Sequence, residues 1–184
     1  YLQKKAPGTT IANHFDFITG TSIGGILAAL YLVPDEKQPQ KAKFSAAEAL
    51  DLFVEEGYNI FNKSKIPEFR RLWGLLNGTA FSPKHLEKLL ELKFGNTCMH
   101  ELLKPCLIPT YDINSRSAFF FNSTDDRRRR KFLLKDVLRS TSAAPTYFPS
   151  AFIRNKANVA DAGEREMRNI DGGVFANSPA LCAY

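Results

Sequence analysis

Residues 14–33 read HFDFITGTSIGGILAALYLV, and the reading of this stretch decides the fold. Residues 14–19 are aromatic and β-branched and end at Gly20, which predicts a strand. Residues 23–33 are rich in helix formers and apolar almost all round, which predicts a buried helix ended by Pro34. Between them lies Gly20-Thr21-Ser22-Ile23-Gly24-Gly25, a G-x-S-x-G pattern in the strand-to-helix context that the pattern requires. A serine on so sharp a turn needs small residues two positions away on either side, and Gly20 and Gly24 are read in that role. Gly25 lets the helix pack close to the sheet. Ser22 then stands at a helix N-terminus, where the Ile23 N–H can donate to an oxyanion and the dipole favours developing negative charge. The same glycines also suit an ordinary turn or a phosphate cradle. No lysine follows them, which disfavours a P-loop.

Outward from this turn, helical and strand-like segments alternate. Ser45 with Glu48 is a capping box that opens a helix running to about Phe61. Ser82-Pro83 opens another, expected to reach about Phe94 and stop at Gly95. Residues 107–111 and 118–121 read as neighbouring strands, and 134–140 as a helix. Residues 143–149 (AAPTYFP) hold two prolines and read as a tight connector. Residues 167–170 are a last strand leading into Asp171-Gly172-Gly173, and Pro179 opens a final helix. Alternation of this kind predicts an α/β domain around one central sheet.

Composition sets the outer bounds. A chain of 184 residues with 44% apolar residues is one domain with a sizeable core. No run approaches the length of a membrane-spanning helix. The three cysteines are unpaired in pattern and the three histidines (His14, His85, His100) scattered, so no metal or cofactor site is indicated. The odd cysteine count suits a reducing, cytoplasmic setting. Three sequons, at Asn62, Asn77 and Asn122, read as chance matches. A net charge of +6 favours acidic partners. The basic run 127–131 lacks interleaved aromatics and reads first as a solvated loop. Peripheral contact with an anionic membrane suits the charge better than nucleic acid does.

Asp171 ends a predicted strand, which puts it at the sheet edge where the serine of such a turn emerges. Alone, Asp-Gly-Gly is a routine turn. With the other segments it means more. GTSIGG at 20–25, STSAAPTYFP at 140–149 and DGG at 171–173 resemble the patatin-like phospholipases, in that order, over about residues 15–179. The resemblance implies a three-layer α/β/α fold with a central, mostly parallel sheet, as a single partial domain over 1–184. It implies a lipid or acyl-ester substrate, Ser22 as nucleophile and Asp171 as its acid/base partner, with Gly172 and Gly173 completing the second motif. Members of that family place a glycine-rich oxyanion loop early in the domain. Residues 1–12 look like the helix after that loop, so the chain reads as truncated at its N-terminus and again at its C-terminus. Two further readings stay open: a catalytically incompetent patatin-like module that binds lipid or protein, and a phosphate-binding α/β protein.

None of the histidines follows a strand end near Asp171, so a serine–aspartate dyad is expected rather than a triad. Asp171 would take the serine proton directly and return it to the leaving group, which suits esters better than amides. Fifteen phenylalanines, several of them in 119–121 and 148–152, offer material for an acyl channel or a core.

Overall fold

In the computed structural model, residues 6, 8–61, 79–126, 128–158 and 165–184 are described. The elements are β1 (Ile18–Thr19), α1 (Ile23–Leu32), α2 (Ala46–Phe61), α3 (Lys84–Phe94), β2 (Cys106–Asp112), β3 (Ser117–Asn122), α4 (Leu134–Thr141), β4 (Ala151–Arg154), β5 (Glu166–Asp171) and α5 (Ala180–Ala183). The predicted strand at 14–19 shrinks to its last two residues. Its parallel partner β2 begins only at Cys106, opposite Ile18, and the residue before it is Pro105, which has no N–H to offer. His14 instead closes a 3₁₀ turn over Ile11–Asn13. The other expected helices and strands form within a residue or two of their predicted ends. The Ser45–Glu48 capping box is made in both directions, at 2.8 and 3.2 Å. Gly95 ends α3 at φ +50°, a conformation that glycine adopts without strain. Strand β4 is an addition to the expected set. Of the sequons, Asn62 and Asn77 lie outside the described residues, as do Arg127 of the basic run and most of 1–7.

The α/β class holds, and its sheet is more mixed in direction than expected. Among the described strands, β1–β2 is the parallel pairing, whereas β2–β3, β2–β5 and β4–β5 run antiparallel. The short link between β2 and β3 accounts for one of these, since a tight turn can only join antiparallel neighbours.

β2 is the organising strand. Its odd-numbered residues turn their backbone groups to one edge: Gly20 donates to Leu107 O and Ile113 donates to Arg168 O. β1 occupies the first part of that edge and β5 the last, pairing at 106–107 and 110–112 respectively. One runs parallel to β2 and the other antiparallel, so β1 and β5 point at each other along a shared edge. Between their ends lies Pro109. A proline inside a central strand normally forfeits a ladder bond; here its missing N–H falls in the gap, where no strand asks for one.

The core lies on the face of β2 that carries Ile108, under α1 and α4. The methyls of Ile108 and Thr141 both pack against Gly25 of α1. The main cluster includes Ala29, Leu32, Leu90, Phe94, Ile108, Phe121, Leu134, Val137, Leu138 and Met167, all nearly inaccessible to water. The triplet Phe119–Phe121 splits across the sheet as the pleat dictates. Phe119 and Phe121 meet Phe132 on the core side, while Phe120 meets Phe175 on the other. No helix among the described residues is long and apolar enough to cross a membrane.

Candidate active site

The head-on approach of β1 and β5 puts two sequence motifs, 149 residues apart, into contact. Ser22 leaves the turn after β1 with φ +56° and ψ −126°, outside the regions that L-residues favour. Such strain is held only where the surroundings over-determine it, as at a nucleophile turn. Ser22 Oγ donates to Asp171 Oδ2 at 2.5 Å. The other carboxylate oxygen, Oδ1, accepts from the Gly173 N–H at 2.7 Å. Asp171 is 5% exposed. Burial pushes its pKa above the ordinary carboxylate value, and the hydrogen bonds from Ser22 and Gly173 offset only part of that rise.

Two glycines allow the two turns to meet. A Cβ on Gly20 would run into the carbonyl of Gly24, and a Cβ on Gly172 would run into the carbonyl of Pro109. Gly24 has a different place from the one expected: a Cβ there meets nothing within 4 Å. The steric demand falls on Gly20, and Gly24 contributes the carbonyl that Gly20 must avoid.

Residues 140–143, which the sequence presents as a helix end and the start of a connector, brace both turns. Thr141 is fully buried; its Oγ1 accepts from the Ser22 N–H at 2.9 Å and donates to Pro109 O at 2.7 Å. It thereby fills the gap between β1 and β5 with a side-chain link. Two residues on, Ala143 O accepts from the Asp171 N–H at 3.1 Å. Ser140 Oγ accepts from Asn169 Nδ2 at 3.1 Å, which fixes α4 to β5 just before the aspartate. A further tie runs from Thr21 Oγ1 to Ala176 O at 2.7 Å. Nothing in the spacing of 140–143 reveals these roles, because they depend on register across the sheet.

The amides at the head of α1 are mostly committed. Ser22 N–H goes to Thr141, Gly24 N–H to Thr21 O and Gly25 N–H to Ser22 O. Among the described residues the Ile23 N–H has no acceptor within the chain. A phosphate cradle needs several free amides, so this turn does not make one. A single amide beside Ser22 suits one oxyanion.

The histidines stand elsewhere. His14 Nε2 is 2.8 Å from Thr9 Oγ1, and His85 Nε2 is 3.1 Å from Glu56 Oε2. No histidine hydrogen-bonds either Asp171 oxygen among the described residues. Nor do three or more His, Cys, Asp or Glu side chains there gather as metal ligands.

Of the aromatic segments considered for a channel, Phe119, Phe121 and Phe148 belong to the core or pack against it. A different apolar surface begins at the turn itself. Ile23, Ile26 and Leu30 of α1, Leu52, Phe53, Glu56 and Gly57 of α2, and Leu89, Leu90, Lys93 and Phe94 of α3 line a small pocket of about 40 Å³. Within the basic run Arg130 pairs with Asp125 and Arg128 with Asp126.

The profile described as patatin-like phospholipase matches residues 8–184. Patatin-like protein 2 of Oryza sativa subsp. indica is 36% identical over 191 aligned residues, covering 99% of this chain and 45% of that protein. Patatin-like protein 2 of Arabidopsis thaliana is 34% identical, over 94% of this chain and 42% of its own length. Patatin-17 of Solanum cardiophyllum is 32% identical, over 93% and 42%. The chain thus spans less than half the length of these curated relatives. By the extent of the profile match, from before the serine turn to beyond the aspartate turn, the chain belongs to the patatin-like phospholipase family.

Proposed function

We propose that the protein is a lipid acyl hydrolase that cleaves acyl esters of phospholipids, lysophospholipids or neutral lipids through a Ser22–Asp171 dyad. The observation that carries the reading is the direct 2.5 Å hydrogen bond from Ser22 Oγ to Asp171 Oδ2, with the Ile23 N–H left over beside it. Asp171 takes the Ser22 proton as Oγ attacks the ester carbonyl. The Ile23 amide and the N-terminal end of α1 stabilise the oxyanion. Asp171 then returns the proton to the departing alkoxide, leaving an acyl-enzyme that water hydrolyses with the carboxylate again as base. An aspartate with an ordinary pKa of about 3.9 is a weak base, and the upward shift from burial brings Asp171 nearer its task. The excess of basic residues supports peripheral contact with anionic membranes in a cytoplasmic setting.

A fluorophosphonate probe tests the reading in the full-length protein. Labelling should vanish in Ser22→Ala, and turnover should fall by about 10³-fold or more in Asp171→Asn. Equal labelling of Ser22→Ala would sink the assignment. A folded wild type that binds lipid vesicles without labelling would favour a non-catalytic binding module. Loss of activity in His14→Ala, His85→Ala or His100→Ala as complete as in Asp171→Asn would overturn the histidine-free mechanism.

A further inference from the structure

Strand β5 turns Met167, Asn169 and Asp171 to one buried face. Met167 belongs to the core and Asp171 to the dyad, whereas Asn169, at 0% exposure, hydrogen-bonds neither Ser22 nor Asp171. An amide side chain offers two donor hydrogens and an acceptor oxygen. Asn169 Nδ2 donates to Ser140 Oγ at 3.1 Å, and Oδ1 has no partner among the described residues. A buried acceptor left unmatched destabilises the native state. Packing alone would therefore favour an apolar side chain of similar volume at this position.

What the amide does achieve is a fixed roll of α4 about its own axis. Ser140 and Thr141 are successive residues, so their side chains leave the helix about 100° apart. The Ser140 hydroxyl donates to Asp136 O within its own helix and turns a lone pair to Asn169 of β5. The Thr141 hydroxyl donates to Pro109 O of β2 and accepts the Ser22 N–H. The links close a ring: Ser22 to Thr141, Ser140 to Asn169, two residues along β5 to Asp171, and from Asp171 Oδ2 back to Ser22 Oγ. The backbone bond from Asp171 N–H to Ala143 O lies beyond the end of α4 and leaves the roll of the helix free. We infer that Asn169 is a positioning residue: through Ser140 it sets the roll of α4, and with it the place of Ser22 opposite Asp171, at a cost in stability. The inference rests on the hydrolase reading above and names a residue outside the dyad that governs its geometry.

The test separates stability from turnover in the full-length protein. Asn169→Leu removes the unmatched acceptor together with the tie, and leaves the Ser140 hydroxyl its acceptor, Asp136 O. The variant should melt no lower than wild type, while kcat for p-nitrophenyl butyrate falls about 10-fold at nearly unchanged KM. The rate at which fluorophosphonate labels Ser22 should fall by a similar factor. Ser140→Ala cuts the same tie from the other side, and the double variant should be no slower than the slower single one. Met167→Leu, a swap of core side chains on the same face of β5, should keep the wild-type kcat. A wild-type kcat in Asn169→Leu would overturn the proposal and leave the hydrolase reading intact. So would a melting temperature well below wild type in that variant, which would make Asn169 a packing residue, or losses in the two single variants that multiply in the double. A wild type that neither reacts with fluorophosphonate nor hydrolyses butyrate would instead remove the hydrolase reading on which the positioning role depends.

Discussion

The Ser22 amide donates to Oγ1 of Thr141 at 2.9 Å, and the Thr141 hydroxyl in turn donates to Pro109 O at 2.7 Å. The strained backbone of the serine is therefore held by a side chain from α4 rather than by its own helix. Thr141→Val keeps the shape and removes both bonds, leaving a buried donor and a buried acceptor unmatched at about 1–3 kcal/mol each. The expected result is a roughly 10- to 100-fold fall in kcat with KM nearly unchanged, and recovery to within a few-fold of wild type in Thr141→Ser. A KM effect alone, or no rescue by serine, would contradict this positioning role.

Glycines four residues apart in the same motif should respond in opposite ways. Gly20→Ala drives a methyl into the Gly24 carbonyl and should cost about 3 kcal/mol or more, enough to prevent stable folding. Gly24→Ala places its methyl in open space at the start of α1 and should raise stability by roughly 0.5–1 kcal/mol. Urea denaturation of the two variants decides the matter. Similar destabilisation in both would show that Gly24 carries a steric demand of its own.

Burial of Asp171 makes the neutral acid the better-tolerated form in the native state, so its folded pKa lies above the unfolded value of 3.8. The native state then holds its proton longer than the unfolded chain as pH rises. Stability is lost through the window from about 3.8 up to the folded pKa and stays lower above it. Asp171→Asn has no such titration. The variant should therefore melt higher than wild type at about pH 7, with the difference shrinking as pH falls toward about 4. In the wild type, activity should rise with pH along a limb displaced above the normal carboxylate range. A difference in melting temperature that does not change across that interval would refute the linkage.

Arg139 anchors the proline-rich connector from within α4. Its Nη2 donates to Pro149 O at 2.8 Å and its Nε to Glu87 Oε1 at 3.1 Å, with the guanidinium 6.0 Å from the Phe148 ring centroid. Arg139→Met preserves apolar volume and strands the Pro149 carbonyl. A loss of about 1–3 kcal/mol is expected, which at this chain length lowers Tm by roughly 2–4 °C per kcal/mol. Melting curves that superimpose on wild type would refute the anchor.

Short-range chemistry makes much of this site legible in the sequence. G-x-S-x-G between strand-like and helix-like residues locates Ser22, and Asp-Gly-Gly after β-prone residues locates Asp171. The capping box at Ser45 and the stop at Gly95 express local rules that sequence carries in full. What stays hidden is set by register. Residues 14–17 have strand composition, yet β2 begins too late to pair with them. Whether β5 runs with or against β2 is not encoded in its six residues, and the role of Thr141 exists only because Pro109 falls in the gap between two strand ends. The pocket between α1, α2 and α3 is hidden for a similar reason: it needs three helices side by side.

Strands β1 and β5 point at each other along one edge of β2, and the serine that follows the first lies 149 positions before the aspartate that ends the second. At a synthesis rate of about 5–20 residues per second, Ser22 is made roughly 7–30 s before Asp171. On the proposed chemistry, a nascent chain has a hydroxyl with no base to activate it, however well β1, α1 and β2 have assembled. Hydrolysis by that chemistry has to wait until β5 pairs with β2, so a copy without that strand in place carries a serine that has no base.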